Sequence, residues 1–291
     1  MQIAKFVCYL AAALAVSSCA SDGNNGKTIL AVSIEPQRQI LEQIAGPDFD
    51  VVTVLGHGSD PETFDPSTSQ RVALDDADIY FATNVLPFEM TLKESIGANT
   101  TFVPTTGNIE LIYGNHGHSH GESDSHEHHH DMAVDPHYWS SIEGAENIAR
   151  TMYKSLSEKY PEKKADFTER YDQLTDSLTK LREYIGQTLD KAPCRTFAVW
   201  HPSLSYFARE FGLEQLPLGV EGKDLSAKAL AEAIDHAKAD SVRVFFFQPG
   251  IDSRQAEVMS QGIGSRLVPV NLLEYDWQGQ LKLISDEIAR P

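Results

Sequence analysis

Residues able to hold a metal ion fall in two kinds of place along this chain. The first is residues 115–131, NHGHSHGESDSHEHHHD, which contain seven of the eleven histidines: His116, His118, His120, His126, His128, His129 and His130. Neutral imidazoles bind Zn2+, Cu2+ or Ni2+. Here, however, they alternate with Gly, Ser and Asp and show no apolar periodicity. With nothing to bury, the run is expected to be a solvated loop that has many alternative ligand sets and no single geometry. The second kind of place is a set of three short turns. Residues 58–67, GSDPETFDPS, put Glu62 in a turn fixed by a glycine and two prolines. Residues 134–140, VDPHYWS, carry His137 just ahead of a helical pattern, and residues 199–207, VWHPSLSYF, carry His201 between an apolar run and another helical pattern. A lone His or Glu in such a turn is more often structural than functional. Three of them at equivalent loops beside one cleft make a candidate site. Asp60 and Asp135 each stand before the proline that precedes a candidate ligand, so they could orient it; simple Asp-Pro turn formation is the alternative.

The elements that must position these turns read as alternating strands and helices. Apolar, β-branched runs at 28–34, 50–55 and 79–82 alternate with helical patterns at 36–45 and 69–76. The same grammar resumes after residue 194, with strands at 196–200, 213–218, 242–247 and 267–270 and helices at 203–211 and 227–239. Such βαβ order predicts parallel sheets covered by helices, and in open α/β sheets ligands bind beyond the carboxyl ends of the strands. Between the halves, Phe167, Tyr171, Leu174, Leu178, Leu181, Ile185 and Leu189 recur every three or four residues, interrupted only by Gly186. This stripe predicts one helix over 161–189, roughly 40 Å long at 1.5 Å per residue. Its place between two α/β halves favours a spine packed along both lobes over a coiled coil, and a stiff spine would limit hinge motion. The expected fold is therefore α/β: two lobes, each with a mainly parallel sheet flanked by helices, joined by one long helix, with the ligand cleft between the lobes.

The ends and the composition bound the setting. Residues 1–18 carry Lys5 and an apolar run from Phe6 to Val16 too short to span a bilayer, as in an export signal. The sequence Val16-Ser17-Ser18-Cys19 resembles a bacterial lipobox, which implies cleavage before Cys19, lipidation of that residue and a polar tether to residue 27. Loss of residues 1–18 would move the formal charge from −18 to −19, a polyanion that repels nucleic acid. After Cys19 only Cys194 remains, so no disulfide can form within the mature chain and packed cores must stabilise it; 273 residues suffice for two. Cys194 is expected to be a small buried residue rather than a ligand. The expected divisions are 1–18 signal peptide, 19–27 anchor and tether, 28–155 first lobe, 156–191 linking helix and 192–291 second lobe.

With these segments in order, the chain resembles the solute-binding proteins of zinc and manganese ABC importers, the ZnuA/TroA-like group. The resemblance rests on Ile44-Ala45-Gly46, on the Gly58-Ser59-Asp60-Pro61 turn and on Leu74 to Asp78. It continues through Asp135-Pro136-His137-x-Trp139, His201-Pro202 with residues 206–213, and Phe246-Phe247-Gln248-Pro249. It implies Glu62 where the family usually has its first histidine ligand, with His137 and His201 as the second and third. Two family acids are missing: Asn271 stands at the late ligand position and Gln248 in the place of a frequent Glu. The fourth ligand is accordingly Asn271, Gln248, a loop imidazole or water. Two imidazoles and one carboxylate favour Zn2+ over Mn2+, which takes more oxygen. The implied function is capture of Zn2+ as transported ligand and its delivery to an ABC permease with its ATPase, by a monomeric periplasmic lipoprotein that is membrane-anchored and not an enzyme. The alternatives are a manganese-binding homologue, a metal-buffering or adhesive surface lipoprotein, and a zinc hydrolase; no HExxH helix is present for the last.

Overall fold

A computed structural model describes residues 26–114, 134–219, 225–249 and 254–291. The export signal, Cys19 and the histidine-rich run lie outside the described residues. The first lobe runs β1 (Thr28–Val32), α1 (Glu35–Ala45), β2 (Phe49–Thr53), α2 (Thr68–Asp75), β3 (Ile79–Ala82), α3 (Pro87–Ser95) and β4 (Thr101–Pro104). Then α4 (Ile142–Lys159) and α5 (Lys164–Leu189) lead into the second lobe. That lobe runs β5 (Thr196–Val199), α6 (Ser205–Phe211), β6 (Glu214–Pro217), α7 (Ala227–Ala239), β7 (Val244–Phe247), α8 (Arg254–Ile263), β8 (Arg266–Pro269) and α9 (Trp277–Ala289). Both sheets are wholly parallel and share one plan, with strand orders β2-β1-β3-β4 and β6-β5-β7-β8. β1 and β3 are almost entirely apolar because helices cover both faces of a parallel sheet. In each sheet the order reverses at the central pair, β1/β3 and β5/β7, so a crevice opens beyond their carboxyl ends.

α3, β4, α8 and α9 are additions to the elements expected from sequence. The expected strands and helices at the other positions are present, two of them (79–82 and 227–239) with the expected bounds and the rest with ends shifted by at most three residues. The spine proper runs Lys164–Leu189 behind a 3-10 turn at Pro161–Lys163, and residues 156–159 of the expected linker finish α4 instead. Its stripe is buried as the spacing demands, with Phe167, Leu174, Leu178, Leu181, Ile185 and Leu189 inward and Tyr171 stacked on Tyr153 at 4.6 Å between ring centroids. α5 packs on α1 and α4 of the first lobe and on α9 of the second. Its burial therefore fuses the two cores expected from chain length. One continuous set of buried residues runs from Leu30 and Phe81 through Leu178 to Phe246 and Leu281, and a smaller cluster around Phe245 and Met259 covers the outer face of the second sheet. Cys194 is half-buried rather than buried, its thiol directed at the carbonyls of Thr196 and Asp240.

The spine has one weak point. A methyl group at Gly186 would meet nothing within 4 Å, so the residue answers no packing need there. Gly186→Ala should raise the unfolding free energy by roughly 0.5–1 kcal/mol, seen as a higher urea midpoint with an unchanged slope. A lower midpoint would contradict an unbroken helix with open space beside Gly186.

Candidate metal centre

Each of the three turns is fixed by its own local chemistry. The Glu62 loop leaves β2 and enters α2, whose cap closes it: the Ser67 amide donates to Gln70 Oε1 at 2.9 Å, and Gln70 Nε2 reaches back to the Val54 carbonyl at 2.8 Å. Phe64 meets Phe88 of α3 edge to face at 5.2 Å, and Arg71 holds Asp65 at 3.0 Å. Within the turn Asp60 accepts from the Glu62 amide at 3.0 Å and from the Thr63 hydroxyl at 3.1 Å. Asp60 thus shapes the backbone under Glu62, an Asx-type role, and is not the imidazole partner that sequence allowed.

Asp135 fills that role for His137. Its Oδ1 accepts from the His137 amide at 2.9 Å and lies 2.8 Å from His137 Nδ1. A carboxylate there fixes the proton on Nδ1 and leaves the Nε2 lone pair to act as a ligand. Asp135 is 1 % exposed. Burial pushes its carboxyl upward, but the hydrogen bonds from His137 and Ser205 outweigh it and hold the group below the ordinary carboxylate range. The turn continues as a 3-10 segment, Tyr138–Ser140, buried throughout. The Tyr138 hydroxyl bonds Thr105 Oγ1 at 2.7 Å and donates to the Thr83 carbonyl at 3.3 Å. The platform below is tied by buried Glu89, which accepts from Thr83, Val85, Leu86 and the Ser33 hydroxyl at the ends of β1 and β3. Gly144, in the first turn of α4, is required by close approach, since a methyl group there would sit 1.8 Å from the Tyr138 carbonyl oxygen.

His201 stands just past β5, at the point where the second sheet reverses direction. The Trp200 amide donates to the Phe246 carbonyl at 3.0 Å, the Ser203 amide to the His201 carbonyl at 2.8 Å, and the Leu204 amide to Gln215 Oε1 at 2.7 Å. This seat aims the imidazole across the cleft. His201 Nε2 lies 3.2 Å from His137 Nε2 and 3.7 Å from Glu62 Oε1, and the ligand atoms of all three residues lie within 4.8 Å of one another. Two ligands ~2.0–2.1 Å from a zinc ion at the tetrahedral angle stand about 3.3 Å apart, so the spacing fits an edge of such a site. Among the described residues this is the one group of three or more His, Cys, Asp or Glu placed to hold a metal. The seven loop histidines lie outside the described residues; Tyr113 and Val134, on either side of them, pair as an isolated antiparallel bridge.

Of the two amides considered for a fourth ligand, Gln248 lines one cavity with His201 and another with Asn271. The Asn271 amide is committed to its own turn: Oδ1 accepts from the Leu273 amide at 3.0 Å and Nδ2 donates to Glu274 at 2.7 Å. Sequence reasoning passed over Tyr206, Arg209 and Glu210 as individuals, although they stand inside a stretch it singled out. Their partners are 28 to 99 residues distant in the chain, and no local pattern marks them.

A family model described as "ZnuA: Zinc-uptake complex component A periplasmic" matches residues 30–286. The "Zinc-binding protein AdcA" of Streptococcus pyogenes serotype M3 is 27 % identical over 274 residues, 90 % of this chain and 53 % of the relative, so the chain spans about half the length of that protein. The "High-affinity zinc uptake system protein ZnuA" of Bacillus subtilis is 27 % identical over 260 residues, 87 % of this chain and 81 % of the relative. A solved structure, "Crystal structure of ZnuA", superposes with a TM-score of 0.80 at 29 % identity and covers 90 % of this chain and 98 % of its own. The matched span, two like lobes on one spine and the cluster in their cleft lead to one conclusion: this chain belongs to the ZnuA family of periplasmic zinc-uptake components.

Proposed function

We propose that this protein captures Zn2+ in the cleft between its lobes through Glu62, His137 and His201 and hands it to the permease of an ABC importer. The observation that carries the reading is the convergence of three ligand atoms within 4.8 Å at the carboxyl edges of two sheets. Glu62 and Asp135 together bring two negative charges to a divalent ion, one at the metal and one behind His137. Zinc rather than manganese is supported by the two imidazoles and by the absence of an acid at positions 248 and 271. The names of the relatives point the same way. A non-catalytic role is supported by the carboxylates themselves: Asp135 is engaged by His137 and Asp60 by its own turn, so neither stands as a general base. The fourth ligand is water, the Gln248 side chain or a loop imidazole; the Asn271 amide is held in its own turn. Among the described residues no helix is long and apolar enough to cross a membrane. Membrane attachment is assigned to a lipid on Cys19, in a monomer that works in the periplasm. The histidine-rich run, His116 to His130, is assigned weak accessory binding that raises the local zinc concentration.

Zinc titration of the mature protein against a chelator of known affinity should give one tight site. The combined Glu62→Ala, His137→Ala, His201→Ala variant should lose it, and a tight site surviving in that variant overturns the reading. Asp135→Asn should weaken zinc binding by roughly 10–100-fold, the usual cost of removing the partner that orients a histidine ligand; unchanged affinity would contradict the role given to Asp135. Deleting residues 116–130 should remove weak binding in the same titration and spare the tight site. Loss of the tight site would instead place the fourth ligand in that run.

A further inference from the structure

His201 belongs by sequence to the second lobe and His137 to the first, so opening of the cleft would be expected to pull them apart. The contacts of α6, which begins four residues after His201, run against that expectation. Tyr206, 1 % exposed, donates its hydroxyl to the Asp135 carbonyl at 2.7 Å and accepts from the Ile112 amide at 3.0 Å. Asp135 is the same residue whose carboxylate holds His137. Arg209 lies over the Tyr206 ring at 5.1 Å, donates to the Glu110 carbonyl at 2.9 Å and pairs with Glu143 at 3.6 Å. Glu210 reaches furthest. Its Oε2 accepts from the amides of Ile142 and Glu143 at 2.8 and 3.3 Å, capping the N-terminus of α4. Its Oε1 pairs with Arg182 of the spine at 2.9 Å, and Arg182 also holds Glu146 at 2.8 Å. In packing, α6 rests on α4 and on the 3-10 turn that follows His137 as well as on β6 of its own lobe.

We infer that Tyr206 and Glu210 are positioning residues that bolt α6 to the first lobe, so that His137 and His201 form a preassembled imidazole pair on one rigid body. The inference rests on the metal reading of the site. Glu62, anchored within the first lobe through Gln70 and Phe64, completes that body. Zinc then meets ligands already in place. Preassembly matters because a site whose ligands need no gathering avoids the ordering cost of binding. It also matters because interactions that fix a ligand's orientation are worth one to two decades of metal affinity.

Hydrogen exchange on the wild-type protein and metal binding by two variants test this. Amides of α6 should be protected without zinc as strongly as those of α4 and gain little when zinc binds. Protection of α6 that arises only with zinc overturns the inference. Tyr206→Phe keeps the ring and removes both hydrogen bonds, and Glu210→Gln removes the charge at Arg182. Each should weaken zinc binding about 10-fold and alter the visible spectrum of the cobalt(II)-loaded protein. Leu178→Ala, a core change in the spine, should lower the melting temperature and leave that spectrum as in wild type. If Tyr206→Phe and Glu210→Gln behave like Leu178→Ala, their role is structural and the inference fails while the metal site stands. Absence of any tight zinc site in the wild-type protein would remove the metal reading itself.

Discussion

One buried carboxylate organises this molecule. Asp135 is nearly sealed from solvent yet held in its charged form, and it spends that charge on the ring nitrogen of His137. An isolated carboxylate in such a place would cost several kcal/mol, so its surroundings must compensate the charge. Its Oδ1 is met by the amide and imidazole of His137, Ser205 at the start of α6 also lowers its pKa, and the backbone of Asp135 is fixed separately by Ile112 and Tyr206, while buried Oδ2 has no hydrogen-bond partner among the described residues. The demand for those partners draws together a strand-end loop of the first lobe, the turn that carries the histidine and a helix of the second lobe. The place of His137 in the candidate metal centre follows from satisfying this one group, while Glu62 and His201 are set by their own turns.

The larger architecture makes such a junction possible. Two sheets with the same strand order present their points of reversal to a common crevice, and a spine of 26 residues buries its stripe against both. Because the apolar core is continuous across the spine, the lobes are not free to hinge as two separate bodies would be. The Tyr275 hydroxyl adds a second tie across the cleft by donating to Glu42 of α1 at 2.6 Å, with Arg38 lying over the Tyr275 ring.

Much of this was legible in the chain because it rests on local patterns. The strands are short apolar runs bounded by turn residues, and the spine announces itself by spacings of three and four. Glu62, His137 and His201 could be nominated because each follows a strand or proline-fixed turn, the places where α/β folds bind ligands. Asp60 and Asp135 looked alike in sequence, each preceding a proline, and only the fold separates the one that shapes a turn from the one that orients an imidazole. α3 was missed because Pro87, a threonine and several charged residues dilute its pattern to three buried positions, and β4 because it has four residues and little burial. The bolt formed by Tyr206, Arg209 and Glu210 was illegible for a different reason. Its meaning lies in partners far away in the chain, and nothing at 205–211 reveals them.

The central claim is that two imidazoles and one carboxylate from rigid elements, rather than the abundant histidines of residues 115–131, make the tight site. X-ray absorption at the zinc edge, on protein loaded with one equivalent of metal, addresses it directly. The account predicts four nitrogen or oxygen ligands at about 2.0–2.1 Å with outer-shell scattering from two imidazoles. Scattering from three imidazoles would make the fourth ligand a loop histidine, whereas scattering from four would contradict the account and place the tight site in the histidine-rich run.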